Sequence, residues 1–113
     1  MKIVDQKLTR EELKKIAQMT FGEMVKAVVD IKRNLLAVDA ELHADLEGYL
    51  LELGSKQGDL WGINLYPDLP ADALIEFDSM INIRPSQGNS TRGVDNEDTQ
   101  KDIMRVVYSW VER

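Results

Sequence analysis

Cysteine is absent from the 113 residues, which excludes disulfide frameworks, thiolate metal sites, CxxC redox chemistry and cysteine nucleophiles. Histidine occurs once, at His43. No apolar run approaches the roughly 20 residues a membrane helix needs, so no membrane role is expected. Met1 to Lys7 reach charge too soon to hold the apolar stretch of a signal peptide. Asn89-Ser90-Thr91, formally a glycosylation acceptor, then lacks a secretory context, and the expected location is cytoplasmic. Internal repeats, low-complexity tracts and linkers are missing too, so residues 1–113 read as one domain.

Positive charge is scarce. The formal net charge is −6, and it divides into +3 over residues 1–33, −9 over 34–83 and zero over 84–113. Extended nucleic-acid binding, which draws its affinity from clustered Lys and Arg, is therefore disfavoured, and any contact with a polyanion is confined to the two ends. The 43% hydrophobic and 30% charged content is that of an ordinary globular chain with one core.

Thr9-Arg10-Glu11-Glu12 forms a capping box with Leu8 and Leu13 as its hydrophobic staple, and Leu13, Ile16, Ala17 and Thr20/Phe21 continue one apolar stripe to Gly22. That is a helix. Val25, Ala27, Val29 and Ile31 then alternate with a mixed set, predicting a strand. Lys32-Arg33-Asn34 reads as a hairpin loop in which Asn takes the left-handed backbone, and Leu35 to Val38 as the returning strand. Asp39 is placed to cap a second helix whose stripe is Leu42, Leu46, Tyr49, Leu50 and Leu53, stopped by Gly54.

Trp61, Ile63 and Leu65 alternate up to Pro67, and two further strand-like runs follow at Leu74–Asp78 and Met80–Arg84. Pro85 to Asn96 is a polar loop, and Asp95 opens a last helix carrying Ile103, Val106, Val107 and Trp110. With a short first strand allowed at Ile3-Val4, the expected architecture is α+β: one largely antiparallel or mixed sheet of about five strands packed with three helices. Both tryptophans fall on core positions, and the five unclustered methionines read as gap-fillers.

The segments Ala37 to Glu47, Leu60-Trp61-Gly62-Ile63-Asn64-Leu65-Tyr66-Pro67 and Ile81 to Asn89 resemble a family of small prokaryotic proteins of unknown function, over nearly the whole chain. The resemblance implies a compact single domain and a prokaryotic cytosolic setting, and brings no catalytic residues with it.

Three constellations can carry chemistry. Arg84 to Gly93 is a donor-rich loop without an acid, in which Arg84, Ser86, Gln87, Asn89, Ser90 and Arg92 can grip a phosphate or carboxylate. Its Gly88 and Gly93 have phosphate-loop spacing, but Val94-Asp95 stand where that motif needs Lys and Ser/Thr. Such a loop must be held by its own residues, Pro85, Ser86, Asn89 and Thr91, because ordering a mobile one costs roughly 1–2 kcal/mol per residue. Its plain alternative is a solvated connection.

The second constellation is Asp39, His43 and Glu47, spaced along one helix side, where His43 serves as a catalytic base or simply packs at the stripe's border. One nitrogen ligand makes a poor metal site, so neither a metal nor a cofactor is expected. The third is the polar strand side, Asn64, Glu76, Asp78 and Asn82 with Arg84, which can converge with His43 on a shallow cleft if no helix covers it, although a solvated sheet face is the favoured reading.

The leading expectation is a domain that binds an anionic small ligand or nucleotide through the Arg84 to Arg92 loop. The alternative is a non-catalytic interaction module: its acidic middle solubilises one side or meets a basic partner, and it forms a homodimer through Met104, Tyr108 and Val111. A weaker alternative is a metal-independent ribonuclease using His43 with Arg84 or Arg92.

Overall fold

A computed structural model describes residues 1–113. Five strands, β1 (Lys2–Ile3), β2 (Val25–Asp30), β3 (Leu35–Val38), β4 (Leu60–Leu65) and β5 (Ile75–Glu76), form one antiparallel sheet in the order β1-β3-β2-β4-β5. Three helices pack on it: α1 (Arg10–Met19), α2 (His43–Glu52) and α3 (Glu97–Trp110). The fold is α+β, as its patterning predicts. No helix is long and apolar enough to cross a membrane.

Strand alternation sorts the core into two layers. Val25, Ala27 and Val29 of β2, with Trp61, Ile63 and Leu65 of β4, face Leu13 and Ala17 of α1 and Ile103, Val106 and Val107 of α3 in an eighteen-residue cluster. The intervening residues face the other way. There Val28, Ala37 and Leu60 meet Leu46 and Leu50 of α2 in a cluster of only five.

Local chemistry accounts for the helix and loop ends. The Thr9 side chain accepts from Glu12 N and the Glu12 carboxylate from Thr9 N, both at 3.1 Å, closing the capping box. Asn34 adopts φ 55° in the β2–β3 loop. The buried Asp30 carboxylate holds that loop, accepting from Lys32 N and Arg33 N at 2.9 Å and from Ser55 Oγ at 2.6 Å.

Four expectations are corrected. Asp39 does not cap α2: it sits at φ 71° in the preceding turn, and α2 starts after Leu42, which offers no capping side chain. Asp95 does not cap α3; Asn96 Oδ1 accepts from Asp98 N at 2.8 Å and Thr99 N at 3.1 Å instead. Four of the five methionines are not gap-fillers, since Met1, Met19, Met80 and Met104 are exposed and only Met24 is half-buried.

The fourth correction has the widest reach. Met80–Arg84 is not a strand but a 3-10 turn (Met80–Asn82) and its exit, initiated where Ser79 Oγ accepts from Ile81 N at 3.3 Å. Two of its side chains do a strand's work along β4. Asn82 Oδ1 accepts from Gly62 N and Asn82 Nδ2 donates to Gly62 O, both at 2.9 Å, while Arg84 Nη2 donates to Leu60 O. The approach is close enough that a Cβ on Gly62 would lie 2.5 Å from the Ser79 side chain, so only glycine fits there.

Candidate functional site

The sheet's second face is covered at one end only. Beyond Val28 and Gly62 the same face continues through Lys26 on β2 and Asn64 on β4, with Glu76 beside Asn64 on β5, because the register pairs Lys26 with Asn64 and Asn64 with Glu76. Side chains of this polarity give α2 nothing to bury, and the helix starts at the boundary. The result is an open cleft of about 550 Å³.

Its floor is the row Lys26, Asn64, Glu76, with Met24 and Tyr66 beyond; its walls are Leu42, His43 and Ala44 on one side and Asp78 to Ile81 with Arg92 on the other. Leu42 and Met80, 54% and 64% exposed, form an apolar rim. Of the polar strand residues, Asn64, Glu76 and Asp78 thus meet His43 here. Asn82 and Arg84 do not line the cleft.

His43 is 9% exposed, at the first turn of α2. Its Nε2 lies 2.8 Å from the Ile63 carbonyl, which can only accept, so Nε2 carries the proton and Nδ1 is left as an acceptor without a protein partner. Burial, reinforced by Lys26 and Arg92, pushes the imidazole pKa down against the opposing pull of the Ile63 bond and Asp78. The ring is a neutral base with a fixed tautomer.

Asn64 is 5% exposed, and its Nδ2 donates to Glu76 Oε1 at 2.8 Å and to Asp78 O at 3.3 Å. Both partners accept, which fixes the amide and leaves Asn64 Oδ1 buried and unpartnered, a state that costs about 1–3 kcal/mol. Tyr66 OH also donates to Glu76 Oε1, at 3.0 Å; burial and that carboxylate push the phenol pKa up. Arg92 Nε bridges Asp78 Oδ1 at 2.7 Å across the rim, with the rest of its guanidinium unbonded.

α2 opens onto this space uncapped. The N–H groups of His43 and Ala44 have no protein acceptor, and Asp45, the one acidic residue of the first turn, is exposed and not part of the lining.

The Arg84 to Gly93 loop is internally bonded. Arg84 and Asn89 exchange backbone bonds at 2.7 and 3.1 Å, and the buried Asn89 amide donates to the carbonyls of Asn82, Thr91 and Gly93 and accepts from Asp95 N. Thr91 Oγ1 accepts from Gly93 N. Arg84 is 9% exposed: Nε donates to Ile81 O and Nη1 to Gln57 O, with the guanidinium carbon 4.4 Å from the Trp61 ring centroid.

Ser86, Gln87 and Ser90 are exposed and apart from the cleft, Gln87 donating to Gly58 O. Gln87 and Asn89 border a separate polar hollow beside Trp61. Only Arg92 of the loop reaches the cleft, which also recruits Lys26, Tyr66 and Ser79. The signal for these was phase: Lys26 and Tyr66 share the strand face of Asn64.

Asp39 precedes α2 and so does not join His43 on the helix, and Glu47, one turn after His43 on α2, does not line the cleft and supports the charge of Arg84 instead. The dimer face loses Val111, which is fully buried and bridged to Leu8, and Tyr108, half-buried, donates its OH to Ala71 O at 2.8 Å. Met104 and Tyr108 still reach the surface, lining one groove with Lys101, Arg105 and Arg113.

A family model described as "Protein of unknown function (DUF5674)" matches residues 2–110. No curated protein and no solved structure matches the chain.

Proposed function

The chain belongs to the DUF5674 family of unknown function, and on that premise we propose that it binds a small anionic ligand, a carboxylate or phosphate, in the cleft beside α2. The reading keeps the anion chemistry expected of the Arg84 to Arg92 loop and moves its centre onto the sheet. Arg92 remains. Lys26 and the open N–H groups of His43 and Ala44 replace Arg84, whose donors point into the fold.

One observation carries it: the two cationic side chains and an uncapped helix start line the same cleft, over a floor holding a buried, unpartnered Asn64 oxygen. Charge-assisted bonds contribute about 1.5–3 kcal/mol each, so three such contacts suffice for micromolar to millimolar affinity after the cost of immobilising the ligand.

The test is an amide NMR titration with inorganic phosphate and a nucleoside monophosphate. Shifts confined to Lys26, Leu42 to Ala44, Asn64, Ser79 to Ile81 and Arg92, lost in a Lys26→Ala/Arg92→Ala variant that keeps its dispersed spectrum, are the expected result. Shifts elsewhere, or none, remove the reading.

A second reading is favoured by His43 alone: a neutral imidazole with a fixed tautomer and an open Nδ1 beside Arg92 has the form of a general base for RNA transesterification. RNA cleavage that persists in chelator and vanishes in His43→Ala would support it.

A further inference from the structure

Cations explain why an anion enters the cleft; they leave its acceptors unexplained. Asn64 Oδ1 cannot find a partner by turning the amide over, since that would set the oxygen against Glu76 Oε1 and the Asp78 carbonyl, both acceptors. His43 Nδ1 is a second acceptor without a protein donor, because Nε2 holds the ring's proton on Ile63 O. Glu76 adds a carboxylate beside them. The register orders these groups: Lys26, Asn64 and Glu76 stand side by side on three adjacent strands, at strand spacings of about 4.8 Å. The floor therefore runs from a cation through an amide oxygen to a carboxylate.

We propose that the ligand is a small anion that brings its own hydrogen-bond donors, an amino or hydroxyl group next to its carboxylate or phosphate. This rests on the anion-binding reading above. The anionic end sits at Lys26, Arg92 and the open start of α2; the donors meet Glu76 and His43 Nδ1 first and reach Asn64 Oδ1, closed to solvent in the free protein, as the floor opens around the ligand. A bare dianion of the same size satisfies the first half of the cleft, faces Glu76 and Asp78 with like charge in the second, and leaves the amide oxygen unpaired. Amino acids, hydroxy acids and hydroxylated phosphates share the required chemistry.

Matched ligands separate these sources. Succinate, malate and aspartate carry one dicarboxylate skeleton with no donor, a hydroxyl or an ammonium, and methyl phosphate against glycerol 3-phosphate repeats the contrast for phosphates. NMR titrations of the whole chain at pH 8 should give malate or aspartate, or glycerol 3-phosphate, an affinity about tenfold above the donor-free partner, the worth of one good hydrogen bond. In Asn64→Val, checked for a dispersed spectrum, the preference for the donor-bearing ligand over its donor-free partner should fall below about twofold. Equal affinity within both sets overturns the inference and leaves the anion site standing. Silence from all five removes the anion site itself. If Asn64→Val does not fold, the two ligand series in the unaltered chain decide alone.

Discussion

The two faces of the sheet come from the same strands, read at odd and even positions, and they are built for opposite ends. One face is sealed: Ile63 and Leu65 vanish beneath α1 and α3. The other is sealed only as far as Val28 and Leu60, then changes within one residue pair to Lys26 and Asn64. Stability resides on the first face and chemical opportunity on the second. What separates them is side-chain identity at alternate positions, not backbone geometry, which is continuous across the boundary.

Mutations can break or sharpen that contrast. The largest effect should come from Ile63→Ala on the sealed face, about 2–5 kcal/mol of stability lost in urea denaturation, because a fully buried side chain leaves a cavity between two helices and the sheet. Lys26→Ala, across the sheet, should stay within about 0.5 kcal/mol. Comparable losses at both positions would dissolve the contrast.

Next, Arg84→Ala should cost about 1.5–3 kcal/mol, since it leaves the carbonyls of Leu60 and Gln57 without donors beneath the surface. Denaturation of Arg84→Ala beside Arg92→Ala tests whether the two arginines have different jobs. A ligand affinity that falls in Arg84→Ala without any loss of stability would contradict the placement.

A smaller effect is pH-dependent. Burial holds the His43 pKa below its ordinary value of 6.5, so between the folded and unfolded values the unfolded chain binds more protons. Stability from this group is therefore present above pH 6.5 and is lost as pH falls toward the folded value. Unfolding midpoints from pH 8 to 5 should decline in the unaltered chain and decline less in His43→Gln. Identical slopes would mean the ring is not held neutral.

The smallest stability change belongs to Arg92→Ala. Its pairing with Asp78 is exposed on both sides, 55% and 41%, and such pairs contribute about 0–1 kcal/mol. Thermal unfolding should barely register it, whereas phosphate-induced amide shifts in the cleft should disappear.

What was legible in the sequence was local. Alternation at Val25, Ala27 and Val29 and the reciprocal Thr9/Glu12 cap needed only neighbours to be read, and the structure has both. Met80 to Arg84 misled because Ile81 and Ile83 alternate as a strand does, while the deciding contacts lie about twenty residues away, at Gly62 and Leu60. Arg84 looked like a surface cation for the same reason: its fate depends on Trp61 and on carbonyls no local window contains. The cleft was half legible. Residue types marked its polar floor and strand phase carried the signal for Lys26, but its place beside Asn64 follows from the register, and the uncapped start of α2 shows where the helix stops covering the sheet.

The side chains of Asn82 and Arg84 have one more consequence. An unpaired strand border invites another chain to extend the ladder, and β5 protects only Asn64 and Leu65 of β4. A covering strand would have displayed a fresh border of its own. An amide and a guanidinium end the sequence of pairings instead, because neither offers a further backbone edge, and the sheet cannot template its own growth past β4 at that end.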